Sequence, residues 1–270
     1  MNSTKNYQIP ENFDTRLSGI AYGELTELEY YSKTTGNARK CFVYTPPSYD
    51  PTLTYPVMYL LHGIGGIHSE WLGGTPNEII SNLIAQGEAK PMIVVIPNIR
   101  AAYDDSVPPE GITPENIAAC DNFINDLRDE LMPFINERYP VSNKREQCAI
   151  SGLSMGGREA LFIGIRMPEV FGYIGAFSPA PGLLPMEYPN DRQHKGQLTA
   201  EEMTFPKEYK DNTLILMCSG NEEEMFNHIA AAYQKAFDDN GVKYEYYITE
   251  GGHDFRTWKS GLYNFAKRIF

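Results

Sequence analysis

Short apolar runs rich in β-branched and aromatic residues alternate along this chain with longer segments whose apolar positions recur at helical spacing. The runs predict strands over 40–45, 57–61, 92–96, 147–151, 173–177, 214–218 and 244–249. The segments between them predict helices over 77–86, 117–138, 158–166, 223–240 and 256–270. In the second helix Phe123, Leu127, Leu131 and Phe134 mark one face that must pack on a sheet. Strands that are apolar along their whole length are covered on both faces, so the alternation implies an α/β fold with a mostly parallel central sheet and helices on both sides. The first strands, including 24–32, are expected as an antiparallel edge.

One junction in this pattern carries chemistry. Ala149-Ile150-Ser151-Gly152-Leu153-Ser154-Met155-Gly156-Gly157-Arg158 joins a predicted strand to a predicted helix through G-x-S-x-G. A serine hydroxyl is a poor nucleophile unless it stands beside a base and beside donors that receive a developing oxyanion. Gly152 and Gly156 let the backbone close tightly around an exposed Ser154, and the helix that follows aims its N-terminus at the site. A capping serine in an ordinary turn produces the same letters, but the strand before and the helix after favour a nucleophile.

The other parts of a serine triad should follow in the order acid, then histidine. After the last predicted strand, Glu250-Gly251-Gly252-His253-Asp254-Phe255 puts His253 on a glycine-flanked loop from which it can reach the serine as general base. The strand before that one opens into Ser219-Gly220-Asn221-Glu222-Glu223-Glu224. An acid here would orient the imidazole; Glu222, nearest the strand end, is the first choice and Glu223 the alternative, while acids not used this way would favour the N-terminus of the next helix. The strand over 57–61 ends in His62-Gly63-Ile64-Gly65-Gly66, so the backbone N–H groups of Ile64 and Met155 are the expected oxyanion donors. His62, at the head of that loop, is expected to brace it by hydrogen bonding.

Taken together, Tyr59-Leu60-Leu61-His62-Gly63-Ile64-Gly65-Gly66, Gly152-Leu153-Ser154-Met155-Gly156-Gly157 and Gly251-Gly252-His253-Asp254-Phe255 with Trp258 resemble carbohydrate esterase family 1, in particular the feruloyl esterase modules of bacterial xylanases. The likeness runs from about Arg39 to the C-terminus and implies the α/β-hydrolase fold of the esterase-D-like branch. In that family the acid is an aspartate just after an asparagine; here Asn221 is followed by Glu222, so the position matches and the residue type departs. The resemblance implies a serine esterase acting on feruloylated or acetylated plant cell-wall polysaccharide or oligosaccharide. Alternatives within the branch are acetylxylan esterase and S-formylglutathione hydrolase. A carbohydrate-binding module on an inactive hydrolase scaffold is the reading outside enzymes.

Composition narrows this further. A chain of 270 residues with 42% hydrophobic content can bury a full core, and a single catalytic domain over 1–270 is expected, with the proline-rich stretch 178–211 an insertion over the sheet. A formal charge of −12 with no basic stripe excludes a nucleic-acid surface, and no apolar run reaches membrane-spanning length. The four cysteines are widely spaced without a C-x-x-C pattern, so neither metal nor cofactor is expected. The start lacks the apolar core of a signal peptide; the resemblance points to a secreted or cell-associated protein, the missing signal to a cytoplasmic one. For substrate contacts, Trp71 after the oxyanion loop is either an aromatic wall or an anchor of that loop, Tyr103 in the loop after the third strand is a candidate wall or a structural residue, and Trp258 is expected to pack behind His253.

Overall fold

The computed structural model describes residues 6–188 and 192–270. Its strands are β1 Glu24–Ser32, β2 Asn37–Thr45, β3 Val57–Leu61, β4 Ile93–Pro97, β5 Cys148–Leu153, β6 Tyr173–Phe177, β7 Met186–Tyr188, β8 Arg192–His194, β9 Leu214–Gly220 and β10 Glu245–Thr249. Its α-helices are α1 Pro76–Ala85, α2 Pro114–Asp121, α3 Phe123–Asp126, α4 Met132–Arg138, α5 Met155–Arg166, α6 Lys207–Lys210, α7 Glu224–Asp239 and α8 Phe255–Ala266.

Eight strands form one sheet in the order β1-β2-β4-β3-β5-β6-β9-β10. β1 and β2 are antiparallel to each other and β2 to β4, as the edge pattern predicts, and the remaining pairs are parallel. Every residue of β3, β4 and β5 is buried, which is why these segments read as unbroken apolar runs. Ile79, Leu262 and Phe265 of α1 and α8 fill one face of the sheet; Leu161 of α5, Phe123 of α3 and Tyr233 of α7 fill the other.

β3 pairs with β4 on one side and β5 on the other, so the chain leaves β3 in one direction and returns to build the sheet in the opposite one. Loops after strands on either side of such a reversal diverge and leave a crevice at the carboxyl edge. The loops after β3, β5, β6, β9 and β10 all emerge at this edge.

The helix expected over 117–138 is broken. α2, α3 and α4 are joined through a π-helical turn at Leu127–Leu131. Pro133 lacks an amide hydrogen and its ring would strike the carbonyl of Asp129, so the backbone widens into the π turn just before it. Phe123, Leu127 and Leu131 are nonetheless fully buried. The segment between β6 and β9 carries β7, β8 and α6; its residues 189–191 lie outside the described ones.

Candidate active site

Ser154 sits between β5 and α5 with φ 50° and ψ −115°, a conformation that costs a non-glycine residue on the order of 1–3 kcal/mol. Three backbone bonds hold it there: Ser154 N–H donates to Phe177 O at 2.9 Å, while Ala180 N–H at 2.9 Å and Arg158 N–H at 3.1 Å donate to Ser154 O. The glycines around it are obligatory on steric grounds. A Cβ at Gly152 would lie 2.6 Å from the Gly156 carbonyl oxygen, and one at Gly156 would lie 2.4 Å from Leu61 O.

His253 Nε2 lies 2.9 Å from Ser154 Oγ. Its loop is fastened at both ends, by Gly251 N–H to Asn221 Oδ1 at 3.0 Å and Thr257 Oγ1 to Gly252 O at 2.7 Å. The imidazole itself is held by rings. Phe226 stacks on its face with centroids 3.7 Å apart and planes 12° from parallel, and Trp258 meets it edge-on at 5.1 Å.

Of the two expected acids, Glu223 is the one beside His253. Its side chain is 1% exposed, with Oε2 3.7 Å from His253 Nδ1. Neither atom has another hydrogen-bond partner, and a shift of about 0.5–1 Å would bring them into hydrogen-bond range. Oε1 accepts a 2.8 Å hydrogen bond from Ser178 Oγ. Ser178 is fully buried and itself left-handed at φ 47°. Glu222, the first choice from the sequence, is corrected: its side chain is 55% exposed and pairs with Arg256 at 2.9 Å, in a surface cluster with Asp254. Consecutive residues face opposite ways as the chain leaves the strand for the helix, and only the second turns inward.

The loop after β3 is fixed by buried polar groups. Ile99 N–H donates to His62 Nε2 at 2.8 Å; an amide can only donate, so we assign the ring proton to Nδ1, which donates to Gly63 O at 2.7 Å. Burial pushes the His62 pKa down to about 4, keeping the ring neutral. Gly63 N–H donates to Glu70 Oε2 at 2.7 Å. Burial raises the Glu70 pKa, and the Gly63 amide opposes that rise. Because a trans peptide is planar, holding the Gly63 carbonyl on one side directs the Ile64 N–H to the other. Behind His62, Arg39 is buried at 0% exposure. It donates to Arg100 O at 3.0 Å and to Asn98 O, and pairs with Asp126 at 3.1 Å and Asp105 at 3.3 Å.

Ser154, His253, Ile64 and Met155 line one cavity of about 370 Å³, together with Glu70, Ile112, Arg158, Phe226 and Trp258. A larger cavity of about 710 Å³, between the N-terminal arm and β10, contains none of the catalytic candidates. Two expected substrate walls are not in the catalytic cavity. Trp71 is fully buried; its Nε1 donates to Leu61 O at 2.8 Å and its ring packs edge-on against Phe177 and Phe255, so it anchors the loop from behind. Tyr103 is 69% exposed, with its carbonyl held by Asn37 at the β1–β2 side of the sheet. Phe226, Ser178 and Glu70 are the site residues that sequence reasoning missed.

The sheet order and the strained serine turn at its carboxyl edge define an α/β-hydrolase. The chain belongs to the esterase family described as putative esterase, which matches residues 32–269. The resemblance to carbohydrate esterase family 1 is borne out: a CE1 ferulic acid esterase from Anaeromyces mucronatus, solved in complex with ferulic acid, superposes with a TM-score of 0.88 at 31% identity, covering 98% of this chain and 97% of that one. An endo-1,4-beta-xylanase/feruloyl esterase of Xylanibacter ruminicola is 30% identical over 96% of this chain, and the chain spans 33% of that relative's length. An acetyl esterase of Caldicellulosiruptor saccharolyticus is 24% identical over 77% of this chain and 80% of the relative.

Proposed function

We propose that this chain is a serine esterase that releases hydroxycinnamic acids, ferulic acid foremost, from feruloylated plant cell-wall polysaccharide. The observation that carries the reading is Ser154 Oγ at 2.9 Å from His253 Nε2 on a strained turn. Likeness to feruloyl esterases over nearly the whole chain supports the substrate. Ser154 attacks the ester carbonyl while His253 takes its proton; Glu223 orients the imidazole and stabilises the imidazolium. The N–H groups of Ile64 and Met155 receive the oxyanion. His253 then protonates the departing sugar alcohol, and water, deprotonated by the same histidine, cleaves the acyl-enzyme to free the acid and restore Ser154. The apolar walls of Ile64, Ile112 and Met155 suit a planar aromatic acyl group better than a small acetyl group.

The test is kcat/KM for methyl ferulate, an alkyl acetate, acetylated xylan and S-formylglutathione. Preference for methyl ferulate supports the reading. Preference for the acetyl esters would make it an acetyl esterase, and preference for the thioester an S-formylglutathione hydrolase.

A further inference from the structure

A guanidinium is buried beside the nucleophile, held by two carboxylates. Arg158 stands one helical turn after Ser154 on α5, and its side chain is 1% exposed. Its Nε donates to Glu159 Oε1 at 3.0 Å, its Nη2 donates to Glu159 Oε1 at 2.5 Å and to Asp121 Oδ1, and Gln197 Nε2 bridges the same two carboxylates at 3.1 Å. Nη1 makes no hydrogen bond to a described residue, yet it is not sealed in the protein interior. Arg158 lines the catalytic cavity, so the free arm opens there. Ile117, which also lines the cavity, stands one turn before Asp121 on the same face of α2, so the surroundings of that arm are apolar. The ester carbonyl must sit at Ser154 Oγ, and a rigid planar acyl chain attached to it carries its far end away from the serine. A ring oxygen buried in this apolar part without a partner would lose its water for nothing. Arginine carries donors only, so the group it can satisfy there is an acceptor.

We propose that Arg158 determines acyl specificity: its Nη1 donates to the oxygen at the 4-position of a hydroxycinnamoyl ring, so that 4-oxygenated cinnamates are selected over the bare ring. The inference rests on the hydroxycinnamoyl reading above. Glu159 and Asp121 fix the guanidinium before substrate arrives, so little side-chain freedom remains to be lost on binding. The bond to the ring oxygen is charge-assisted, and an ester lacking that oxygen leaves the arm desolvated and unpaired.

The experiment compares kcat/KM for methyl 4-hydroxycinnamate and methyl cinnamate, which differ by one oxygen, in the native chain and in Arg158→Lys. Lysine keeps the positive charge between Glu159 and Asp121 but has no second arm. The expected native ratio is at least about tenfold in favour of the phenol, falling to within about twofold of unity in the variant. Should the lysine variant fail to fold, Arg158→Met combined with Glu159→Gln removes the guanidinium together with one carboxylate and reads the same ratio. A native ratio near unity overturns the assignment. So does a ratio that survives in a folded variant, including one that loses activity equally on both esters, which is the result an anchor of α5 alone would give. Failure of the native chain on both methyl ferulate and methyl 4-hydroxycinnamate overturns instead the reading on which the inference rests.

Discussion

The two sides of the catalytic cavity are built by different means. On the oxyanion side, the loop after β3 is fixed by a chain of buried hydrogen bonds and ion pairs running from Gly63 through His62 and Ile99 to Arg39 on β2. On the histidine side, the imidazole is held by ring contacts from Phe226 and Trp258 and by one long approach to Glu223 at 3.7 Å. The difference suits the tasks proposed for the two sides. Oxyanion donors are effective when they need no reorganisation at the moment charge develops, so they are locked. The base must turn between the serine and the leaving oxygen, and flat ring contacts permit small rotations that a full set of hydrogen bonds would resist.

Six substitutions at five positions break or sharpen this comparison. The largest effect falls where the two sides meet: Ser154→Ala should lower kcat by about 10⁶ and abolish covalent labelling by a fluorophosphonate, measured by intact-protein mass. On the histidine side, Glu223→Gln should reduce kcat by about 10⁴, because the imidazole then loses its oriented tautomer, while Glu222→Gln should stay within about twofold. Equal small losses in both variants would remove Glu223 from the site.

The oxyanion side is sharpened by pH. His62 is neutral in the fold with a pKa of about 4, against 6.5 when unfolded, so below pH 6.5 the unfolded chain takes up a proton that the folded one does not. Stability therefore falls as pH drops through 6.5 toward 4, by about 3 kcal/mol at the low end from this group. His62→Asn should flatten that part of the profile, read by urea denaturation at several pH values; an unchanged slope would show the ring is not held neutral. Smallest is Phe226→Leu, which should lower kcat about three- to fivefold with KM little changed, since the ring also stabilises the imidazolium. Phe226→Tyr should restore it, and a KM effect alone would make Phe226 a substrate wall only.

Strands were legible where burial on both faces made a sequence run uniformly apolar, as at β3 and β6. The 117–138 helix was legible in its packed face but not in its path, because spacing reports which residues are buried and Pro133 decides how the backbone passes them. Of the two roles open to Trp71 in the sequence, wall or loop anchor, the structure favours the anchor, because the side chain is buried against Phe177 and Phe255. The acid proposed above, Glu223, stood in the sequence as the alternative to Glu222. A finer signal was present: Phe226, Ala230, Tyr233 and Phe237 define the inward face of α7, and stepping back three residues from Phe226 reaches Glu223, not Glu222. Ser178 carried no such signal, since only the folded chain brings the end of β6 to the start of α7.

Residues 177–180 act as a brace. Phe177 O and Ala180 N–H hold the serine turn, and Ser178 holds Glu223, all before the chain sets out toward β7. These anchors are thus complete before the chain reaches β7. In engineering terms, 184–186 is a cassette: a library confined to it can vary the wall facing α7 while the anchors of Ser154 and Glu223 stay in register.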